Sequence, residues 1–224
     1  MNKLPSIYTD PFGNYPQHKG KLKLSYSAYN SFIEDGYRGE FYANYFLGKR
    51  GDGNIFTDYG GKAGKYFESK VNDGLSEFDC SVIDKIERPE NAKYESEIVV
   101  DRGWFVIQGF SDREYEKPGG LVIEDLKTGA ISSKKAYYSG EDYNQTTLYC
   151  FCRENEGHRI ADSRVILLDR KGNGQEKYPL RLTGEIEYIP TPYSKERAET
   201  FLKKFDKVAE DIAEHYAVYN KYFK

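Results

Sequence analysis

The spacing of apolar positions along the chain changes period more than once. Tyr29 to Leu47 form a long aromatic-rich run with Ser25 to Ser27 as cap residues ahead of it, which predicts helix interrupted near Gly36 and Gly39. After the loop Gly48 to Gly53 and the pair Gly60 and Gly61, a short helix is expected over Lys62 to Val71, with Glu68 one turn above Gly64. The pattern then becomes strand-like. Cys80 to Ile86, Ser96 to Val100, Trp104 to Asp112 and Leu121 to Lys127 are short apolar or alternating runs parted by Pro, Gly, Asn and Asp, as in a meander. Helix is expected again from about Asp142 to Arg153. Strands follow over Val165 to Asp169 and Leu180 to Ile189, joined by the turn-rich Arg170 to Gln175. The clearest periodicity comes last. Thr191 and Pro192 supply a cap and a first-turn proline, and Ala198, Phe201, Leu202, Phe205, Val208, Ala209, Ile212 and Tyr216 keep one apolar face over about six turns.

Helix, strands, helix, strands, helix in that order predicts an α/β fold, a central mixed sheet flanked by helices. Residues 1–23, with Pro5, Pro11, Gly13, Pro16 and Gly20 and no helical or strand period, read as an extended arm. The rest, 24–224, reads as one domain.

Composition narrows the classes. Hydrophobic residues at 38% and charged residues at 31% suit a soluble globular protein rather than a disordered one. A formal charge of −3 does not announce a nucleic-acid binder, yet metal-binding carboxylates can mask a basic groove in the total. The twenty-one Tyr and thirteen Phe can serve as core or as a stacking surface for bases. No apolar run reaches the length of a membrane span and no signal-peptide core is visible, so a cytoplasmic protein without a membrane partner is expected. Cys80, Cys150 and Cys152 have neither disulfide-framework nor zinc-like spacing, in keeping with a reducing compartment.

The informative stretch runs from Gln108 to Gly129. It reads Gln-Gly-Phe-Ser-Asp112, a loop with Pro118 and two glycines, then Leu-Val-Ile-Glu-Asp125-Leu-Lys127-Thr-Gly. Side chains alternate along a strand, so Asp125 and Lys127 share a face while Glu124 and Leu126 take the other. A hairpin would set Asp112 beside Asp125, placing two carboxylates and an ammonium at the end of an apolar sheet. Charges buried there cost several kcal/mol, on the order of a lost ion pair, unless they are paired or bound to metal. Two readings stand side by side: a structural Asp125–Lys127 salt bridge, or a site for Mg²⁺ or Mn²⁺. In the second, carboxylates, the Leu126 carbonyl and substrate phosphate oxygens surround the ion, and Lys127 orients the attacking water or stabilises developing charge.

These residues resemble the PD-(D/E)xK nuclease superfamily, and within it the RecB-like and Cas4-like branch, in which a Gly-x-x-Asp strand precedes a hairpin and an Asp-x-Lys-Thr strand. Gly109, Asp112, Asp125, Lys127 and Thr128 fit that order, with the second aspartate thirteen residues after the first. The branch then carries a helix with Gln-x-x-x-Tyr, matched by Gln145 and Tyr149 at i and i+4 on one face. Upstream, Leu24 to Tyr29 is similar to the Ser-x-Ser start of the first helix, and Gly60 to Glu68 to the helix that supplies a further metal ligand. Many members have histidine there; Glu68 is the substitute in this chain, whose histidines are His18, His158 and His215.

The resemblance covers roughly Leu24 to Arg153 and implies a restriction-endonuclease-like core and a metal-dependent deoxyribonuclease. Asp112, Asp125 and Lys127 would be catalytic, and Glu68, Asp112, Asp125 and the Leu126 carbonyl would hold Mg²⁺ or Mn²⁺. Gln145 and Tyr149 would contact the scissile strand. DNA is the expected partner, with a recombination or replication protein as a further candidate. Some relatives hold a 4Fe-4S cluster on four cysteines; this chain has three, without the expected placement, and no cluster is predicted. By analogy an exonuclease in recombination, repair or phage replication is the first expectation. The competing class is a catalytically inactive nucleic-acid-binding or assembly subunit with the same fold.

Overall fold

The computed structural model describes residues 21–34, 41, 42, 45 and 54–223. Residues 1–20 of the expected arm and the expected interruption at Gly36 and Gly39 lie outside them; the arm's last residues, Leu22 and Lys23, are in a strand. The chain forms two compact units.

The larger unit comprises residues 53–96 and 110–195 and is built on a mixed sheet. Strands β3 (Phe105–Lys117), β4 (Gly120–Gly129), β5 (Ile160–Lys171) and β6 (Arg181–Pro190) lie in that order. β3 and β4 pair antiparallel, β4 and β5 parallel, and β5 and β6 antiparallel. The parallel step between β4 and β5 needs a crossover. Helices α4 (Ile131–Ser139) and α5 (Gln145–Asn155) provide it.

Alternation along the central strands sorts side chains onto two faces, each covered by helix. Ile166 and Leu168 of β5, with Leu126 of β4, pack against Tyr59, Ala63 and Phe67 of helix α2 (Ile55–Ser69) and Val82 and Ile83 of α3 (Glu77–Ile83). Val165 and Leu167 pack on the other face against Tyr138 and Tyr143. α5 joins that second face, where Thr146 Oγ1 donates to Thr191 Oγ1 at 3.0 Å and Ser163 Oγ lies 3.1 Å from the same oxygen. The chain therefore has the α/β arrangement expected, a mixed central sheet flanked by helices.

The described residues of the smaller unit are 21–34, 41, 42, 45, 97–109 and 196–223. β1 (Leu22–Leu24) runs parallel to the start of β3, and β2 (Lys93–Asp101) also pairs with β3. Ser25 caps α1 (Tyr26–Ile33), accepting from the Ala28 N–H at 3.0 Å. Tyr29 of α1 stacks on Phe205 of the terminal helix α6 (Lys195–Phe223) at 4.8 Å between centroids, and Phe105 lies on the same ring at 6.1 Å. The predicted stripe of α6 is buried from Ala198 to Tyr216 except for half-buried Val208.

Four local expectations are corrected. Cys80 to Ile86, read as strand, lies mostly in α3: Ser76 Oγ accepts from the Asp79 N–H at 3.1 Å, and Cys80, Val82, Ile83 and Ile86 are buried at helical rather than alternate spacing. α2 begins at Ile55 rather than Lys62, because Asn54 caps it with a 2.8 Å bond to the Phe56 N–H and the helix continues through Gly60, Gly61 and Gly64. β5 reaches Lys171, so Arg170 is a strand residue and not a turn residue. α4 and β1 have no counterpart among the expected elements.

Candidate functional site

The hairpin β3–β4 positions the residues singled out by sequence. Its last paired position is Arg113↔Glu124, and Asp112 and Asp125 stand one residue beyond it on their two strands. There the Asp112 carboxylate takes the place of a ladder acceptor: Oδ2 accepts from the Leu126 N–H at 2.5 Å. In the parallel register Asp125 is level with Val165 and Lys127 with Leu167, so both point to the face that carries Tyr138 and Tyr143. Leu126 points to the other, beside α2.

Asp125 is fully buried. Its Oδ2 receives two donors, the Lys127 ammonium at 2.6 Å and the Tyr143 hydroxyl at 2.8 Å. Its Oδ1 is buried and has no hydrogen-bond partner among the described residues. A carboxylate oxygen without a donor inside a protein is costly, which is why such groups are almost always satisfied. The salt bridge of the structural reading thus exists, and it leaves half of the carboxylate unsatisfied.

The titration behaviour shows how crowded the site is in negative charge. Burial, then the neighbouring Asp125, raise Asp112 to about 7, against the opposing pull of Lys127 and the Leu126 N–H; Glu68 adds to the rise. Glu68, half-buried on α2, is also raised to about 7, first by burial and then by Glu95. Burial would strip Lys127 of its proton, but Asp125 and Asp112 more than offset that and hold its ammonium above the ordinary range. Burial and the charge of Asp125 likewise keep the Tyr149 hydroxyl protonated. Gln145 Nε2 donates to that hydroxyl at 2.6 Å, so the i, i+4 pair on α5 is formed.

Glu68, Asp112, Leu126 and Lys127 all line one open groove of ≈ 790 Å³. A Cβ on Gly60 would meet Thr128 Oγ1 at 3.4 Å, an ordinary contact distance, so this part of α2 lies beside β4. Among the described residues no three His, Cys, Asp or Glu side chains are gathered into a ready-made cage for an ion. The donors fit a different kind of occupant. Mg²⁺ or Mn²⁺ held by one or two carboxylates, with phosphate oxygens and water completing the shell, needs hard oxygen donors and negative charge awaiting neutralisation. Asp125 Oδ1, with Asp112 and Glu68 once they have given up their protons, provides both.

Sequence reasoning missed four participants. Tyr143 holds the Asp125 carboxylate, and nothing in its local pattern marks it. Glu95 borders the groove with a backbone φ of 51°, a left-handed conformation rare for glutamate and invisible in a strand pattern. Lys134 and Arg170 line the groove as well. They belong to a helix that was not expected and to a segment read as turn.

Comparison with known proteins adds little. No family model matches this chain, and no curated protein matches it. It is similar to a crystal structure named "Putative exonuclease" from Eubacterium rectale, with 15% sequence identity and a TM-score of 0.48, over 90% of this chain and 83% of that one. At that level the likeness carries no chemistry across. No described helix is long and apolar enough to cross a membrane.

Proposed function

We propose that this protein is a divalent-metal-dependent deoxyribonuclease of the PD-(D/E)xK type, RecB-like or Cas4-like in its motif order, acting as an exonuclease on DNA in recombination, repair or phage replication. The observation that carries the reading is Oδ1 of buried Asp125, unsatisfied among the described residues and set beside Asp112 and Lys127 at the end of the β3–β4 ladder.

In this reading Asp125 Oδ1, Asp112, Glu68 and the Leu126 carbonyl hold Mg²⁺ or Mn²⁺. When bound, the cation supplies Lewis-acid charge at the scissile phosphate. Lys127 stays cationic through its two aspartate neighbours and places that charge where the attacking water and the equatorial phosphate oxygens meet. Tyr143 fixes the rotamer of Asp125 through Oδ2. The hydroxyl of Tyr149, accepting from Gln145, keeps its own proton to donate to a phosphate oxygen of the scissile strand.

The test is incubation of linear and covalently closed circular DNA with Mg²⁺, Mn²⁺ or EDTA, beside Asp125→Ala and Lys127→Ala. Metal-dependent loss of linear DNA with the circle intact, abolished in both variants, is the expected result. Cleavage of the circle would make it an endonuclease. Binding without cleavage under every metal condition would overturn the enzymatic reading in favour of an inactive binding subunit.

A further inference from the structure

Arg170 lines the same groove as Lys127 and forms no ion pair among the described residues. It follows Ile166 and Leu168 on the α2 face of β5, near the strand's end. Its guanidinium lies over the Phe56 ring at 4.5 Å from the centroid. Nε and Nη1 are buried, and neither has a hydrogen-bond partner among the described residues. The adjacent carboxylate is committed elsewhere: Asp169 Oδ1 accepts from the Ile131 N–H at 2.9 Å and Oδ2 from the Thr183 hydroxyl at 2.8 Å. The ionisable groups that act on Arg170 electrostatically are the phenols of Tyr59 and Tyr138, neutral at physiological pH, and burial lowers its pKa.

A buried arginine is ordinarily paired, because the fork of N–H donors is costly to desolvate unanswered. Covered Nε and Nη1 groups without an answering acceptor among the described residues, on a half-buried guanidinium whose plane an aromatic face fixes, are the arrangement expected where an anion completes the pairing. The groove supplies the context. Lys65, Lys127 and Lys134 line it along with Arg170, so four cations border one channel beside the carboxyls of Glu68, Glu95 and Asp112.

We propose that Arg170, held on Phe56, receives a phosphate group of the nucleic-acid strand lying in the groove, apart from the phosphate that is cleaved. The assignment rests on the reading of the groove as a nucleic-acid site. The phosphate is either an internal phosphodiester or the monoester at a strand end, and both present anionic oxygens to the guanidinium. Arg170 is thus a binding residue that sets where the strand lies relative to Lys127.

The test uses the full chain in EDTA, so that binding is read without cleavage. Anisotropy of an internally labelled, short single-stranded DNA is titrated at several salt concentrations with wild type, Arg170→Gln, Arg170→Lys and Phe56→Ala. Arg170→Gln is expected to weaken binding by about tenfold, as for loss of a charge-assisted contact, and to reduce the slope of log K against log salt by about 0.7, the value for one phosphate contact on a single strand. Arg170→Lys restores the slope but only part of the affinity, since an ammonium lacks the fork. Phe56→Ala keeps the slope and weakens binding.

Melting temperature separates this from a structural role: Arg170→Gln removes a half-buried charge that has no ion pair among the described residues and is expected to leave Tm unchanged or raise it. Equal weakening on 5′-phosphorylated, 5′-hydroxyl and 3′-phosphorylated strands identifies an internal phosphodiester. Weakening confined to one phosphorylated end identifies the terminal monoester. Unchanged affinity and slope in Arg170→Gln, or no binding by the wild type, would overturn the proposal. Wild-type binding with this Arg170 dependence but no cleavage on adding Mg²⁺ or Mn²⁺ would sink the enzymatic reading alone. Cleavage with an Arg170-independent affinity would sink the phosphate receptor alone.

Discussion

Replacing Asp112 by asparagine should make the metal-free protein more stable while removing its activity. The carboxyl is raised to about 7 by burial and by Asp125, against about 3.9 for an aspartate in an unfolded chain. A folded pKa above the unfolded one means that the native state binds the proton more tightly. The associated stability is fully present below about pH 4, falls as pH rises, and is gone above about pH 7. Roughly three units at about 1.4 kcal/mol each set a ceiling near 4 kcal/mol. Because Asp112 is only partly buried by exposed area and competes with Asp125 for charge, about half of that ceiling is expected, roughly 2 kcal/mol.

Asparagine keeps an oxygen for the Leu126 N–H and carries no charge at any pH in question. In EDTA at pH 8 the variant should therefore melt about 4 to 8 °C above wild type, given roughly 2 to 4 °C per kcal/mol for a chain of this size. At pH 4.5 the two should melt together. Saturating Mn²⁺ should shrink or reverse the gap, since only the wild type gains fully from the ion. Differential scanning calorimetry at the two pH values decides it. A variant less stable than wild type at pH 8, or a gap independent of pH, would refute the claim that the site stores unneutralised charge.

Other consequences can be checked on the same preparation. Mn²⁺ affinity by calorimetric titration should increase from pH 6 to pH 8, because the ion competes with protons on Asp112 and Glu68, both raised to about 7; a pH-independent affinity would contradict this. Lys127→Met should lower the cleavage rate by about a hundredfold or more while the fold survives, measured on linear DNA with circular dichroism as control. Tyr143→Phe, which removes one donor to Asp125 Oδ2, should slow cleavage several-fold and lower stability by about 1 kcal/mol. On the α2 face, Glu124→Ala should destabilise by roughly 3 to 5 kcal/mol. It strands Arg113 and Arg164, whose Nε atoms now donate to the fully buried carboxylate at 2.5 Å and 2.6 Å; a melting temperature within about a degree of wild type would show that the cluster is not held this way.

What could be read from the chain and what could not divide along physical lines. β3, β4 and β5 were legible because buried central strands must be apolar or alternating over a strand's length, and α6 because one apolar face persisted over many turns. The same alternation rule puts Asp125 and Lys127 on one face. Cys80 to Ile86 misled for the converse reason: a short apolar run is compatible with either period, and the Ser76 cap and the surface of β6 and α2 it packs on decided for helix. α4 was missed because its exposed residues carry no apolar stripe; a single buried tyrosine, Tyr138, docks it.

The sequence by itself determined the α/β order of elements, the placement of two aspartates and a lysine about a hairpin, and the Gln145–Tyr149 pair, since each depends on local period or spacing. Only the tertiary structure decided that Asp125 would be left with one unanswered oxygen, that Tyr143 would hold the other, and that Glu95 and Arg170 would face the same groove as Glu68. Those are properties of desolvation and of contacts between distant segments, and both exist only once the chain has closed on itself.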